Sequence, residues 1–146
     1  MFGHSPALEH TSFVEPPWKM MLSTKAILPL LWEMAPGHPN LLPAYFDDDP
    51  HSAALGSSFV RKPVHSREGA NVTIIRNGAI TAATGGSYAD GAWVRQALAE
   101  TQSFAGQMPV IGAWIVGDLA CGIGVREDAS AITSNTSRFV PHLIQG

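Results

Sequence analysis

Hydrophobic and polar positions alternate most clearly in the second half of the chain. Val72-Thr-Ile-Ile-Arg76 and Ala79-Ile-Thr-Ala-Ala83 flank Asn77-Gly78, the pair preferred in a two-residue hairpin turn whose central residues both take positive φ. A second hairpin is predicted from Val110 to Val116 and Leu119 to Arg126 around Gly117-Asp118. Pairing outward from that turn puts Val116/Leu119, Trp114/Cys121, Gly112/Ile123 and Val110/Val125 on one face, which is bulky and belongs in a core. Ile115/Ala120, Ala113/Gly122, Ile111/Gly124 and Pro109/Arg126 share the other, flattened by small residues. Trp93 to Leu98 predicts a further strand. Glu127 to Ser130 reads as a turn, and Ile132-Thr133 and Arg138 to Ile144 as short strands.

The first half has a different period. From Trp18 to Ala35 the apolar residues fall mostly at helical spacing, interrupted by Pro29. This predicts a kinked helix, or two short ones with Ser23 capping the second. Residues 1–17 read as an irregular lead-in, and Pro36-Gly37-His38-Pro39-Asn40 stops the helix. Leu41 to Phe46 is a short apolar patch. Asp47-Asp48-Asp49 reads as a solvated loop that continues to residue 57, because hard cations need oxygens converging from spaced positions.

Between these halves lies Phe59 to Ile75, two β-branched arms around a loop of Ser66, Arg67, Glu68 and Gly69. Such a loop can aim backbone N–H groups at an anion, with Lys62 and Arg67 adding positive charge. It can equally be a hairpin loop with solvated charges. The flat face of the second hairpin, beside Arg126, is open in the same way: a planar ring and its phosphates, or closely packed helices.

Composition narrows the classes. The 146 residues fit one domain. Only 14% are charged, against about 25% in an average domain, so part of the surface is expected to be covered by something else. A net charge of −3 argues against nucleic acid or an anionic membrane as a partner. With Cys121 alone there is no internal disulfide; a soluble protein of a reducing, cytoplasmic compartment is expected. Six scattered histidines lack metal-ligand spacing, no metal ligands are predicted, and Cys121 is expected to pack rather than react. What remains is a set of basic residues, Lys25, Arg61, Lys62, Arg67 and Arg126, that could neutralise a polyphosphate if the sheet gathers them.

Several segments carry a resemblance. They are Glu15-Pro-Pro-Trp-Lys-Met, Ser23-Thr-Lys-Ala-Ile-Leu-Pro, Pro36-Gly-His-Pro-Asn-Leu-Leu-Pro-Ala-Tyr and Val60-Arg-Lys-Pro-Val-His-Ser-Arg-Glu-Gly-Ala-Asn-Val. Pro109-Val-Ile-Gly-Ala-Trp-Ile-Val-Gly-Asp, Gly124-Val-Arg-Glu-Asp and Ile132-Thr-Ser-Asn-Thr-Ser-Arg-Phe-Val-Pro-His follow in order. Together, from about Glu15 to Ile144, they resemble the C-terminal part of the glutathionylspermidine synthase family.

That resemblance implies an α+β fold, a partial ATP-grasp-type domain over residues 15–146 after a lead-in of 1–14, built mainly of antiparallel hairpins with a few short helices. It implies an ATP-dependent carboxylate–amine ligase that makes an amide through an acyl phosphate. By the same carry-over, Lys25 and Lys62 bind ATP phosphates, and Ser66, Arg67 and Gly69 belong to a loop folding over them. Gln96, Ala97, Leu98 and Ala99 line the adenine pocket, Ala131, Ile132 and Thr133 touch nucleotide again, and Arg126 stabilises the transition state. The family's Mg2+ ligands and much of its glutathione site lie around an upstream Glu-x-Asn-x-Asp type of motif that this sequence lacks. The expectation is therefore roughly the last third of a synthetase domain, whose glutathione- and spermidine-like substrates and metal depend on a missing N-terminal half. The alternative is a catalytically inactive nucleotide-binding or interaction module that keeps the fold.

Overall fold

The computed structural model describes residues 17–145 together with Pro6, His10 and Ser12. The expected irregular lead-in lies almost wholly outside the described residues. The described chain is an α+β arrangement of antiparallel sheets with few short helices. A five-stranded sheet has the order β1-β5-β2-β3-β4 and a three-stranded sheet the order β6-β7-β8. Their strands are β1 (Ala44–Phe46), β2 (Phe59–Pro63), β3 (Thr73–Arg76), β4 (Ala79–Ala83), β5 (Trp93–Ala97), β6 (Met108–Val116), β7 (Leu119–Asp128) and β8 (Arg138–Val140).

Of the two alternatives, the chain forms two short helices and not one kinked helix. A 3-10 helix spans Pro17–Ser23, and α1 spans Ile27–Met34 and packs against β1. Ser23 does not cap α1; its hydroxyl turns back to donate to the Met20 carbonyl. The Thr24 hydroxyl instead accepts from the Ala26 N–H. Pro29 introduces no kink because it sits in the first turn of α1, where its missing N–H has no helical acceptor to lose.

The loop expected at 47–57 is more ordered than its composition suggests. Asp49 accepts from the His51 N–H and caps a second 3-10 helix, Pro50–Leu55. Asp47 is not solvated either. It accepts from Arg61 (Nη2–Oδ2 2.8 Å) and from Arg95 (Nε–Oδ1 2.5 Å). Arg61 stacks over Trp93 and Arg95 over Phe59, at 4.0 and 5.1 Å to the ring centroids. Period-2 alternation explains this: Phe59, Arg61, Trp93 and Arg95 are same-face neighbours on β2 and β5.

The other face of β2, β3 and β5 carries Val60, Lys62, Ile74, Val94 and Gln96. Val72, Ile74 and Ile132 form a buried cluster with Val60, Ala82 and Leu98 packed on it. Val94 is fully buried. The β3–β4 hairpin turns at Asn77-Gly78, with φ of 50° and 80°, and a bulge between Ile74 and Ile75 shifts its register.

The β6–β7 hairpin also turns where predicted, but its register slips. Ile115 pairs with Ala120, whereas Trp114 pairs with Gly122, leaving Cys121 as an extra residue. Gly122 has φ 152°, a backbone that side chains rarely allow. Beyond this bulge every predicted pair moves by one: Gly112 faces Gly124 and Val110 faces Arg126. The bulky face does not enter a core. Trp114, Val116 and Leu119 of that face are 64–71% exposed, as are Ile111 and Ile115 of the other, and Cys121 is exposed rather than packed. Strand β7 runs through Asp128, where a turn was expected, and Ile132-Thr133 forms no strand although Ile132 is buried. No helix of the described residues is long and apolar enough to cross a membrane.

Candidate functional site

A cavity of about 350 Å³ opens over the buried cluster, with Val60, Val72, Ile74, Leu98 and Ile132 among its walls. The core thus serves as its floor. Alternation along β2 sends Lys62 to this side two residues after Val60, and Gln96 reaches it from β5. Lys25 arrives from the turn before α1, tied by its backbone N–H to the Val64 carbonyl at 3.0 Å.

The lysines define the electrostatics. Lys62 Nζ donates to Gln96 Oε1 at 2.8 Å, and Lys25 Nζ donates to the Ser66 carbonyl and hydroxyl at 2.9 and 2.8 Å. Neither ammonium has a carboxylate partner among the described residues; Glu68 lines the cavity but forms no ion pair with them. Burial holds the Lys62 ammonium below the usual lysine range, and the charge of Lys25 lowers it further. Burial lowers Lys25 as well. Both lysines thus carry the cost of burial with no carboxylate among the described residues to offset it.

The loop over the cavity is held by an unusual backbone. Glu68, Gly69 and Asn71 all have φ between 55° and 73°. Thr84 Oγ1 donates to the Gly69 carbonyl at 2.5 Å, and Asn71 bridges to Gly86 and to the Tyr88 N–H. Gly69 lies so close to the 131–133 segment that a Cβ there would sit 2.3 Å from the Thr133 carbonyl oxygen. Only glycine combines this φ with that approach.

Of the residues singled out in the sequence, Lys25, Lys62, Arg67, Gly69, Gln96, Ala97, Leu98, Ala99, Ala131, Ile132 and Thr133 all line this one cavity. Ser66 does not line it but holds Lys25. Arg61 faces the opposite side of the sheet, bound to Asp47. Arg126 is not in the cavity. It lines a neighbouring one of about 360 Å³ with Val110, Gly112, Trp114, Gly124 and Phe139, the two meeting at Thr133. Arg126 Nη2 donates to the Ser134 carbonyl at 3.0 Å, and its buried Nε has no partner. The sequence reading missed the apolar walls Val60, Val72 and Ile74; their alternation with Arg61 and Thr73 was the available signal. Among the described residues no group of three or more His, Cys, Asp or Glu side chains converges as a metal site would require.

Residues 4–145 match the family described as glutathionylspermidine synthase preATP-grasp. A protein of Haemophilus influenzae, provisionally named an acid–amine ligase, is 49% identical over 97% of this chain and 37% of its own length. Trypanothione synthetase of Crithidia fasciculata is 38% identical over 87% of the chain and 19% of its own. The bifunctional glutathionylspermidine synthetase/amidase of Escherichia coli is 27% identical over 89% and 21%. The chain therefore spans 19–37% of the length of these curated relatives. With nearly its whole length matched, the chain belongs to the glutathionylspermidine synthase family.

Proposed function

We propose that this chain is the ATP-binding portion of an ATP-dependent acid–amine ligase, part of an ATP-grasp-type domain. The observation that carries the reading is the pair of ammoniums, Lys25 and Lys62, held together in one cavity without a carboxylate partner. Lysine is a point charge suited to phosphate oxygens. The apolar floor, with Ala97, Leu98 and Ala99 along the same cavity, suits a flat base. The Ser66–Gly69 loop supplies Arg67 at the phosphate end. Bound ATP would supply the phosphoryl group that makes a carboxylate reactive toward an amine.

Arg126, in the adjoining cavity, stands where charge on a reacting carboxyl group would be met. Its guanidinium lines that cavity, and its buried Nε has no partner among the described residues. The Mg2+ that ATP chemistry needs has no converging ligand set among the described residues. We therefore assign its ligands, and the glutathione- and spermidine-like substrates, to the part of the relatives that this chain does not span, whether covalently continuous or supplied separately.

Calorimetric titration of the 146-residue chain with MgATP tests the reading. Binding should be saturable and should weaken at least tenfold in Lys62→Met and in Lys25→Met. Unchanged affinity in both variants would remove the lysine cavity from consideration. ADP release with glutathione and spermidine by the chain alone would show that the metal ligands do lie within it.

A further inference from the structure

We propose that Asp128 is a positioning residue that sets both cavities at once: its carboxylate fixes the 130–137 segment, which walls the lysine cavity and supports Arg126. Asp128 itself lines neither cavity, so it acts on them only through this segment. The consequence for nucleotide rests on the function proposed above; the geometry does not.

Backbone pairing does little to hold the segment. Strand β7 ends at Asp128 and β8 begins at Arg138. Between them, among the described residues, the backbone closes on itself only from the Ser137 N–H to the Ser134 carbonyl, at 3.3 Å. Residues Ala129-Ser-Ala-Ile-Thr-Ser-Asn-Thr-Ser137 carry no charge of their own; the carboxylate at their mouth supplies one. Glu127 pairs with Arg138, which brings Asp128 and Ser137 together. Asp128 Oδ2 accepts from Ser137 Oγ at 2.5 Å and from Ser134 Oγ at 3.4 Å, while Oδ1 accepts from the Ser130 N–H at 2.9 Å. These bonds, that from Ser137 foremost, hold the carboxyl below its usual range. It therefore stands ionised and only accepts.

The same serines pass the constraint inward. Ser130 Oγ accepts from the Ile132 N–H at 3.2 Å, and Ser137 Oγ from the Ser134 N–H at 2.8 Å. Ile132 is thereby seated in the apolar floor, Thr133 stands between the two cavities, and the Ser134 carbonyl meets Arg126 Nη2. Across the lysine cavity the Thr133 carbonyl lies against Gly69. An amide at position 128 would keep an oxygen for Ser130 but turn N–H groups toward Ser134 and Ser137, whose hydroxyls would have to rotate away. A loop cap of purely local importance would leave Gly69 and Arg126 indifferent to that change.

The test follows two signals outside the segment by two-dimensional NMR of the whole chain: the Gly69 amide, and the Arg126 Nε–H identified by its loss in Arg126→Lys. Asp128→Asn and Ser137→Ala should each move both. The double variant should move them no further than Asp128→Asn does, since members of one hydrogen-bond network are not additive. An unmoved Trp93 indole signal, from the sheet face that also carries Arg61, would verify folding; should Asp128→Asn fail that check, Ser137→Ala decides by the same two signals. In calorimetry, Asp128→Asn should weaken MgATP binding by at least about threefold, within the range for residues of one network. An unmoved Gly69 or Arg126 signal, additive shifts in the double variant, or wild-type MgATP affinity in Asp128→Asn would each overturn the proposal. Failure of the wild type to bind MgATP would overturn the nucleotide reading instead, and the two resonances alone would then decide the role of Asp128.

Discussion

Replacing Gly69 with alanine separates two costs that this position carries together. The first is conformational: φ at Gly69 is 73°, and a Cβ in that region costs about 1–2 kcal/mol. The second is contact. The added carbon would lie 2.3 Å from the Thr133 carbonyl oxygen and 2.9 Å from Ile132 Cγ2, so loop and segment must part by about 1 Å, at about 1–3 kcal/mol typical of overpacking. Gly78 provides the control. Its φ is 80° and an added Cβ meets nothing within 4 Å, so Gly78→Ala carries the first cost alone. In urea unfolding followed by circular dichroism, Gly78→Ala should lose about 1–2 kcal/mol and Gly69→Ala about 2–5 kcal/mol, both with unchanged m. Because the parted surfaces are two walls of the lysine cavity, Gly69→Ala should also weaken MgATP binding, and Gly78→Ala should not. Equal stability losses in the two variants would refute the contact argument. A Gly69→Ala protein that binds MgATP as the wild type does would refute the link between this contact and the site.

Three further outcomes follow from the same geometry. Lys62→Met should stabilise the apo fold by on the order of 1 kcal/mol, since it removes a buried charge without a carboxylate partner. With its folded pKa lowered, the unfolded chain holds more protons between that value and lysine's ordinary one; wild-type stability should rise with pH across this window and the Met variant should lack that rise in urea titrations at several pH values. Asp47→Asn should cost about 1 kcal/mol, modest because Arg61 and Arg95 are each about a third exposed. The hydrogen bond from Arg61 is the largest cause holding the Asp47 carboxyl below its usual range; its stabilisation is present above the unfolded pKa near 4 and lost as pH falls through the folded value, so the Asn variant should show a shallower acid limb. Ile111→Lys, on the exposed face of β6, should change stability by no more than about 0.5 kcal/mol; a loss above about 1 kcal/mol that depends on protein concentration would mean the face is covered by association.

The hairpins were legible because their signals are local. Asn77-Gly78 and Gly117-Asp118 set their turns by backbone preference alone, and the flanking β-branched runs needed no tertiary context. The register of β6–β7 was not, since the bulge at Cys121 spends one residue that no turn rule counts. One slipped residue transfers every later side chain to the other face. That is why Val110, and not Pro109, stands opposite Arg126, and why Arg126 and Trp114 share a cavity. Asp47 was misread for a related reason. A run of three aspartates looks solvated until β5 and β2 bring two arginines beside its first member.

Within the site, adjacency in sequence proved a poor guide and alternation a good one. Arg61 and Lys62 belong to one set of basic residues in the sequence, yet consecutive strand residues must face opposite ways. Arg61 is therefore spent on Asp47 and Trp93, while Lys62 enters the cavity with only an amide oxygen to meet it. The contrast gives the two charges different meanings. A cation with a carboxylate and an aromatic ring is already satisfied and contributes to the fold. A cation kept partly buried beside a second one works against the fold, and the function proposed above accounts for its placement by a ligand that brings the missing negative charge.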